Sequence, residues 1–250
     1  MEQFSDILIN KADGVMQIIL NRSAKKNALT SDMYDAMTEA LVSATKDDEI
    51  KAVLINGVDN VFSAGADLKG FDTRKSDESS PAFKFLKVIS VFPKPIVAAV
   101  SGIAVGIGAT VLLHCDLVYA SPTKFRMPFV NIGVCPEAAS SLLLPAIAGH
   151  RLAAEILMLG DFFDTKKAIE AGLVNAECPQ DEVINFALTK AKELAQKPSK
   201  SMQITKQLMK KTDQTLVAEQ MEEEFQHFGP LLLSEESISA RDALKNKLKK

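Results

Sequence analysis

Pro95-Ile-Val-Ala-Ala-Val100-Ser-Gly-Ile-Ala-Val105-Gly-Ile-Gly-Ala-Thr110-Val-Leu-Leu-His-Cys115-Asp-Leu-Val-Tyr-Ala120 is the stretch from which the fold is read. Ile96 to Val100 is a short apolar run of buried-strand length, rich in β-branched residues. Gly102, Gly106 and Gly108 follow, then an apolar helix-like segment, Ala109 to Leu113, and a second strand-like run, Leu117 to Ala120. A glycine-rich passage from a buried strand into a helix leaves the first helical amides without intrahelical partners. At the glycines no side chain keeps a ligand off the backbone. Such amides, at the positive end of a helix dipole, suit a phosphate, a carboxylate, or a carbonyl oxygen that gains charge during a reaction. The spacing Gly-x-x-x-Gly-x-Gly is not the Gly-x-Gly-x-x-Gly of a dinucleotide fold, and no Gly-Lys-Ser/Thr follows as a P-loop requires. The same glycines would also let a helix pack closely on a strand, so this stretch alone leaves packing and binding both open.

Upstream, Ile7–Asn10 and Val15–Leu20 read as strands joined by Lys-Ala-Asp-Gly, and Asp13-Gly14 is a strong hairpin signal. Asn21 to Ala28 is a polar loop carrying Lys25 and Lys26, and Thr30-Ser31-Asp32 offers an N-cap to an amphipathic helix over Met33–Thr45. Lys51–Gly57 reads as a buried parallel strand. The small residues of Phe62–Leu68 put backbone close to something, a tight turn being the plainer explanation. A polar loop from Gly70 to Pro81 and an apolar-faced helix, Ala82–Phe92, then lead back to the glycine stretch. Hairpin, helix and strand recur in this way, which predicts an α/β architecture of ββα units.

Downstream, Phe125–Gly133 passes from strand to loop. Pro136 suits the first position of a helix running through Ile147, with Glu137 in its first turn, where a carboxylate also complements the dipole. Helices are predicted at Ala153–Leu159, Thr165–Gly172, Asp181–Gln196, Ser199–Lys210 and Leu216–Phe228, with Asp164 and Asp181 as caps. The chain is nearly all helical from about Gln180, so a soft boundary is expected near residue 195, between segments 1–195 and 196–250.

A chain of 250 residues buries roughly 70–75% of its unfolded surface, enough for a sizeable core. A net charge of −3 with scattered Lys and Arg gives no support to nucleic-acid binding. No apolar run has membrane-spanning length, and no basic-then-apolar leader pattern opens the sequence. Cys115, Cys135 and Cys178 are odd in number and far apart, which argues against disulfides or a zinc site and for a reducing, cytoplasmic setting. His114 has no second ligand at metal spacing and reads as a packed or helix-surface residue; Cys135 reads as an apolar filler. No Gly-x-Ser-x-Gly elbow is present.

Phe62–Leu68, Ser101–Thr110 with Cys115-Asp116, Pro128–Ser141 and Ala168–Val174, in this order and spacing, resemble the crotonase superfamily of enoyl-CoA hydratases and isomerases. The resemblance runs from the hairpin to the last helices. It implies a spiral of ββα units forming an acyl-CoA-binding core, with a C-terminal helical region that builds homotrimers, often paired into hexamers. It also implies an oxyanion hole made by the amides of Ala66 and Ile107, the latter where the family often has glycine. Thr110 and Phe129 stand where hydratases of the family carry their two glutamates. Glu137 stands where the isomerase branch, notably its peroxisomal type, carries one catalytic glutamate, and Cys135, Pro136, Leu142 and Leu143 are expected to surround it.

The implied reaction is the shift of a double bond from a 3-enoyl-CoA to a trans-2-enoyl-CoA in fatty-acid β-oxidation, with hydration, another acyl-CoA reaction on the same scaffold such as hydrolysis or dehalogenation, or plain acyl-CoA binding as alternatives. The coenzyme A thioester is the substrate, and neither cofactor nor metal is implied. Its contacts are expected from Lys25, Lys26 and Ala28 and from Ala64, Gly65, Ala66, Asp67 and Leu68, with Lys206 a further candidate for the phosphates. Asp67 is expected to fix its own turn and Asp116 to be structural. Phe71, Phe83, Phe85 and Phe129 are candidates for the acyl pocket.

Overall fold

The structure, a computed structural model, describes residues 6–67, 80–211 and 214–248; Leu68 and Phe71 lie outside them. The chain opens as predicted, with β1 (Ile7–Ala12) antiparallel to β2 (Val15–Leu20). Asp13 and Gly14 take φ values of 52° and 75°, the left-handed pair that a two-residue turn between twisted strands requires. Next, α1 (Ser31–Lys46) begins at Thr30, whose hydroxyl accepts the Met33 N–H at 3.3 Å. It buries Met33, Tyr34, Met37, Leu41 and Ala44, a stripe at helical spacing. β3 (Ala52–Gly57) is buried along its whole length and parallel to β2. Then come α2 (Pro81–Ser90), β4 (Ile96–Val105) and α3 (Ile107–Thr110), which tightens into a 3-10 turn over Val111–His114.

The second half consists of β5 (Leu117–Arg126), α4 (Ser140–Ala148), α5 (His150–Ala154) with a π-helical turn to Leu159, α6 (Thr165–Glu170) and β6 (Ala176–Glu177). α7 (Val183–Ala195), α8 (Ser199–Lys210), α9 (Gln214–Leu232) and α10 (Glu235–Leu248) complete it. Asp164 caps α6 through the Lys167 N–H, whereas Asp181 stands one residue ahead of the N-cap of α7, Glu182.

The six strands lie side by side in sequence order, and every pair after the first is parallel. Each strand–helix–strand unit therefore advances the chain by one strand in a constant direction, the expected spiral of ββα type. One sheet face buries Val15, Leu54, Val97 and Tyr119 under Val183, Ala187 and Ala191 of α7; the other joins the main core under α1 and α2.

The strand predicted as Ile96–Val100 is twice as long because β4 carries a register shift between Val100 and Gly102. Gly102 has φ 69°, and a side chain there would meet Asn60 O at 2.2 Å. Past this bulge β4 and β5 bend away from the main sheet into short bridges with Ser63 and Phe163. The bend delivers the glycine turn to the candidate site.

Candidate active site

Two backbone turns far apart in sequence are pressed together. Ser63 bridges the end of β4: its N–H donates to Ile103 O at 3.0 Å and its O accepts from Val105 N–H at 3.0 Å. Two residues on, Gly65 has φ 91°, and a Cβ there would stand 2.6 Å from Val105 O. Gly108 in the first turn of α3 is as tight against the same segment, with its Cβ position 2.8 Å from Ser63 O. Here the glycines serve close approach of backbone to backbone. Ala66 and Ile107 thus stand on adjoining segments.

The direction of the Ala66 amide follows from its bridge. Leu29 N–H donates to Gly65 O at 2.8 Å and Asp67 N–H donates to Leu29 O at 2.9 Å. In a parallel bridge of this kind the N–H and C=O of Ala66 lie on the edge away from Leu29. Ile107 follows Gly106, which has φ 55° and ψ −124°, and is the first residue of α3, where amides have no partner within the helix.

The Lys25–Ala28 loop is stitched to the same segment. Ala64 N–H donates to Lys26 O at 2.9 Å, and Ser63 Oγ donates to Asn27 O at 2.8 Å. Lys25 and Lys26 are exposed, and Lys26 and Asn27 both have φ 51°. The structure therefore brings Lys25, Lys26, Ala28, Ala64, Gly65, Ala66 and Asp67 into one neighbourhood. Two organising residues were missed. Arg22 Nη1 donates to Ala28 O at 2.9 Å and pairs with Asp67 Oδ2 at 2.7 Å. Buried Asn27 accepts the Arg22 N–H and donates to Val61 O at 2.7 Å. Asp67, expected to fix its own turn, is thus tied across to another loop.

Glu137 is half-buried and precedes α4, but not as a first-turn residue. Ala138 and Ala139 have φ values of 63° and 53°, so the helix starts only at Ser140. Its first turn is satisfied by Glu224 of α9, whose Oε2 accepts Ala139 N–H at 2.6 Å and whose Oε1 accepts Ser141 N–H at 3.0 Å. On the other side, His114 Nε2 lies 2.9 Å from Ala138 O. Burial, with Lys210 nearby, drives the His114 pKa down to about 4, so the ring is neutral and Nε2–H is the donor.

Glu137 opens onto a cavity walled by Ala82, Phe83 and Leu86 of α2 and by Met221, Phe225 and Phe228 of α9. Phe83 and Phe225 stack across it with centroids 4.2 Å apart. These two helices supply apolar surroundings on the cavity side of Glu137, Cys135 lies close to it, and Leu143 faces a separate cavity beside His114 and Lys210. Of the candidate aromatic residues, Phe83 lines the cavity, while Phe85 and Phe129 are core residues 1% and 3% exposed.

Lys206 is not available to a phosphate. It is buried, donating to Lys94 O at 2.7 Å and to Asp116 Oδ2 at 2.6 Å, and Asp116 also accepts Ile96 N–H at 2.8 Å. Asp116 is structural, as expected. Thr110 is fully buried and its hydroxyl has no hydrogen-bond partner. Burial, with Glu224 close by, pushes the Cys135 thiol up to about 11, which suits a filler rather than a nucleophile. Among the described residues no helix is long and apolar enough to cross a membrane.

A model of the enoyl-CoA hydratase/isomerase family matches residues 10–250. The chain is 35% identical over 247 residues to enoyl-CoA delta isomerase 2 of Rattus norvegicus, covering 96% of this chain and 63% of that protein. It is 29% identical over 245 residues to 2,3-dehydroadipyl-CoA hydratase of Escherichia coli, covering 94% of this chain and 95% of that one. The crystal structure of an enoyl-CoA hydratase/isomerase from Pseudoalteromonas atlantica superposes with a TM-score of 0.94 at 36% identity, over 97% of this chain and 98% of the other. The chain spans somewhat under two thirds of the length of the rat isomerase it matches.

Proposed function

The chain belongs to the enoyl-CoA hydratase/isomerase family, and from that membership we propose an enoyl-CoA isomerase converting 3-enoyl-CoA to trans-2-enoyl-CoA, as fatty-acid β-oxidation requires. The observation that carries this reading is a pair of carboxylates at the wall of an apolar cavity, of which Glu224 is engaged by the Ala139–Ser141 turn and Glu137 is left as the base, with Thr110 and Phe129 where the resemblance places the hydratase acids.

The thioester oxygen sits between the amides of Ala66 and Ile107. Glu137 takes a proton from C2, and the electron pair spreads over the thioester and the double bond as a dienolate. The same carboxyl returns the proton to C4, leaving the double bond between C2 and C3. No water is consumed, so one acid–base group suffices. The amide donors act most strongly on the oxygen as it gains charge, and one such donor is worth ~3–4 kcal/mol of barrier. The Lys25–Ala28 loop and Ala64–Asp67, tied by Arg22, hold the coenzyme A moiety, and the cavity between α2 and α9 takes the acyl chain. A cytoplasmic homotrimer, alone or paired into a hexamer, completes the reading.

Hydration is the second reading, supported by the hydratase relative and by Glu224, which lines the same cavity. Both Glu224 oxygens, however, face donors of the Ala139–Ser141 turn. The test is conversion of 3-hexenoyl-CoA to its conjugated 2-enoyl isomer. Water addition to 2-hexenoyl-CoA without that conversion replaces the isomerase by the hydratase.

A further inference from the structure

Ala138 and Ala139 are consecutive non-glycine residues in the left-handed region, a conformation that persists only where the surroundings over-determine it. The turn they make is all that separates Glu137 from α4. It is held from two sides by elements remote in sequence. His114, at the end of the turn that follows α3, grips Ala138 O. Glu224 of α9, only 5% exposed, receives Ala139 N–H, Ser141 N–H and the Ser141 hydroxyl, and Gln220 Nε2 donates to that same hydroxyl at 3.1 Å. α9 also supplies Met221, Phe225 and Phe228 to the cavity wall. One helix thus walls the cavity and grips the turn that presents the carboxylate.

We propose that Glu224 is a positioning residue: by holding the Ala138–Ala139 turn left-handed it sets the direction in which Glu137 meets the substrate. This rests on Glu137 being the base. Glu224 itself touches no reacting atom, since its oxygens are directed at the turn.

The experiment uses Glu224→Gln, which keeps the side chain's size but places an amide group against donors that need an acceptor. It is assayed on 3-hexenoyl-CoA and, for exchange of the C2 protons, on hexanoyl-CoA in deuterated water, a reaction that needs the base but no double bond. The expected result is a kcat lower by on the order of 10- to 100-fold with KM nearly unchanged, as misdirection of a reacting group produces. Adding Ala139→Gly, which adopts positive φ freely, recovers part of the loss. A purely structural role predicts no such recovery, because glycine further loosens the turn. Wild-type kcat in Glu224→Gln, or no recovery in the double variant, overturns the proposal. If the wild type does not isomerise, the same comparison is read from C2 exchange, so failure of the isomerase reading is separate from failure of this one. If the wild type neither isomerises nor exchanges, the base assignment falls and this proposal falls with it.

Discussion

His114 Nε2 stands 2.9 Å from the carbonyl oxygen of Ala138, so the far end of the helical segment that opens at Ile107 grips the peptide next to Glu137. The Ile107 amide and Glu137 are thereby tied to one short piece of chain. The ring that makes this tie is kept neutral by burial, against the pull of the Ala138 carbonyl. His114 is buried, and its pKa falls from 6.5 to about 4 on folding.

The unfolded chain therefore binds the His114 proton more readily, and stability rises with pH across the window between these values. The contribution is complete above about pH 6.5 and is lost as the pH falls towards 4, amounting to up to about 3 kcal/mol. Glu224 opposes this in part, because burial pushes its carboxyl up and the folded state takes that proton more readily. Melting temperature measured from pH 7.5 to 4.5 should fall more steeply in the wild type than in His114→Gln, which keeps a donor but does not titrate. Parallel curves would show that His114 is not the group responsible.

Gly108 has an ordinary helical backbone, yet its Cβ position lies 2.8 Å from Ser63 O and 2.9 Å from Ser63 Cβ. Gly108→Ala must therefore push the two amide-bearing turns apart. It should cost about 1–3 kcal/mol of stability by overpacking. It should also lower kcat/KM by on the order of 100-fold through displacement of the Ile107 amide. Denaturant unfolding and steady-state kinetics on 3-hexenoyl-CoA measure the two. A destabilised variant with unchanged kcat/KM would detach the contact from the chemistry.

The lysines expected to meet coenzyme A separate by environment. Lys206→Met breaks a buried pair with Asp116 and should cost roughly 3 kcal/mol of stability, while leaving the dissociation constant for coenzyme A unchanged. Lys25→Ala with Lys26→Ala should do the reverse: weaker, salt-sensitive binding with an unchanged melting temperature. Calorimetric titration at two salt concentrations distinguishes them. A binding loss in Lys206→Met at full stability would restore its contact with the phosphates.

What could be read in advance was local. Asp13-Gly14 announced its hairpin, Thr30 its helix, and the run of small residues around Gly65 its close approach of backbone to backbone. Glu137 emerged from its setting in the Pro128–Ser141 pattern. The rest depends on partners that no window of sequence contains. Arg22 meets Asp67, Glu224 meets Ser141, and Lys206 meets Asp116 only after the spiral has closed. The Pro136-Glu137 helix start failed for the same reason: alanine carries no turn signal, and Ala138 and Ala139 are left-handed because His114 and Glu224 hold them there. Lys206 looked like a candidate for the phosphates because its burial is set by α8 lying against the loops at Lys94 and Asp116.

The most direct test of the account is Glu137→Gln, assayed on 3-hexenoyl-CoA beside the wild type, with acyl-CoA binding measured on both. The predicted result is conversion by the wild type and a loss of about 100-fold or more in kcat in the variant, the size expected of a missing acid–base group, with binding retained. A variant that isomerises at the wild-type rate would contradict it, and would place the proton transfer on another group.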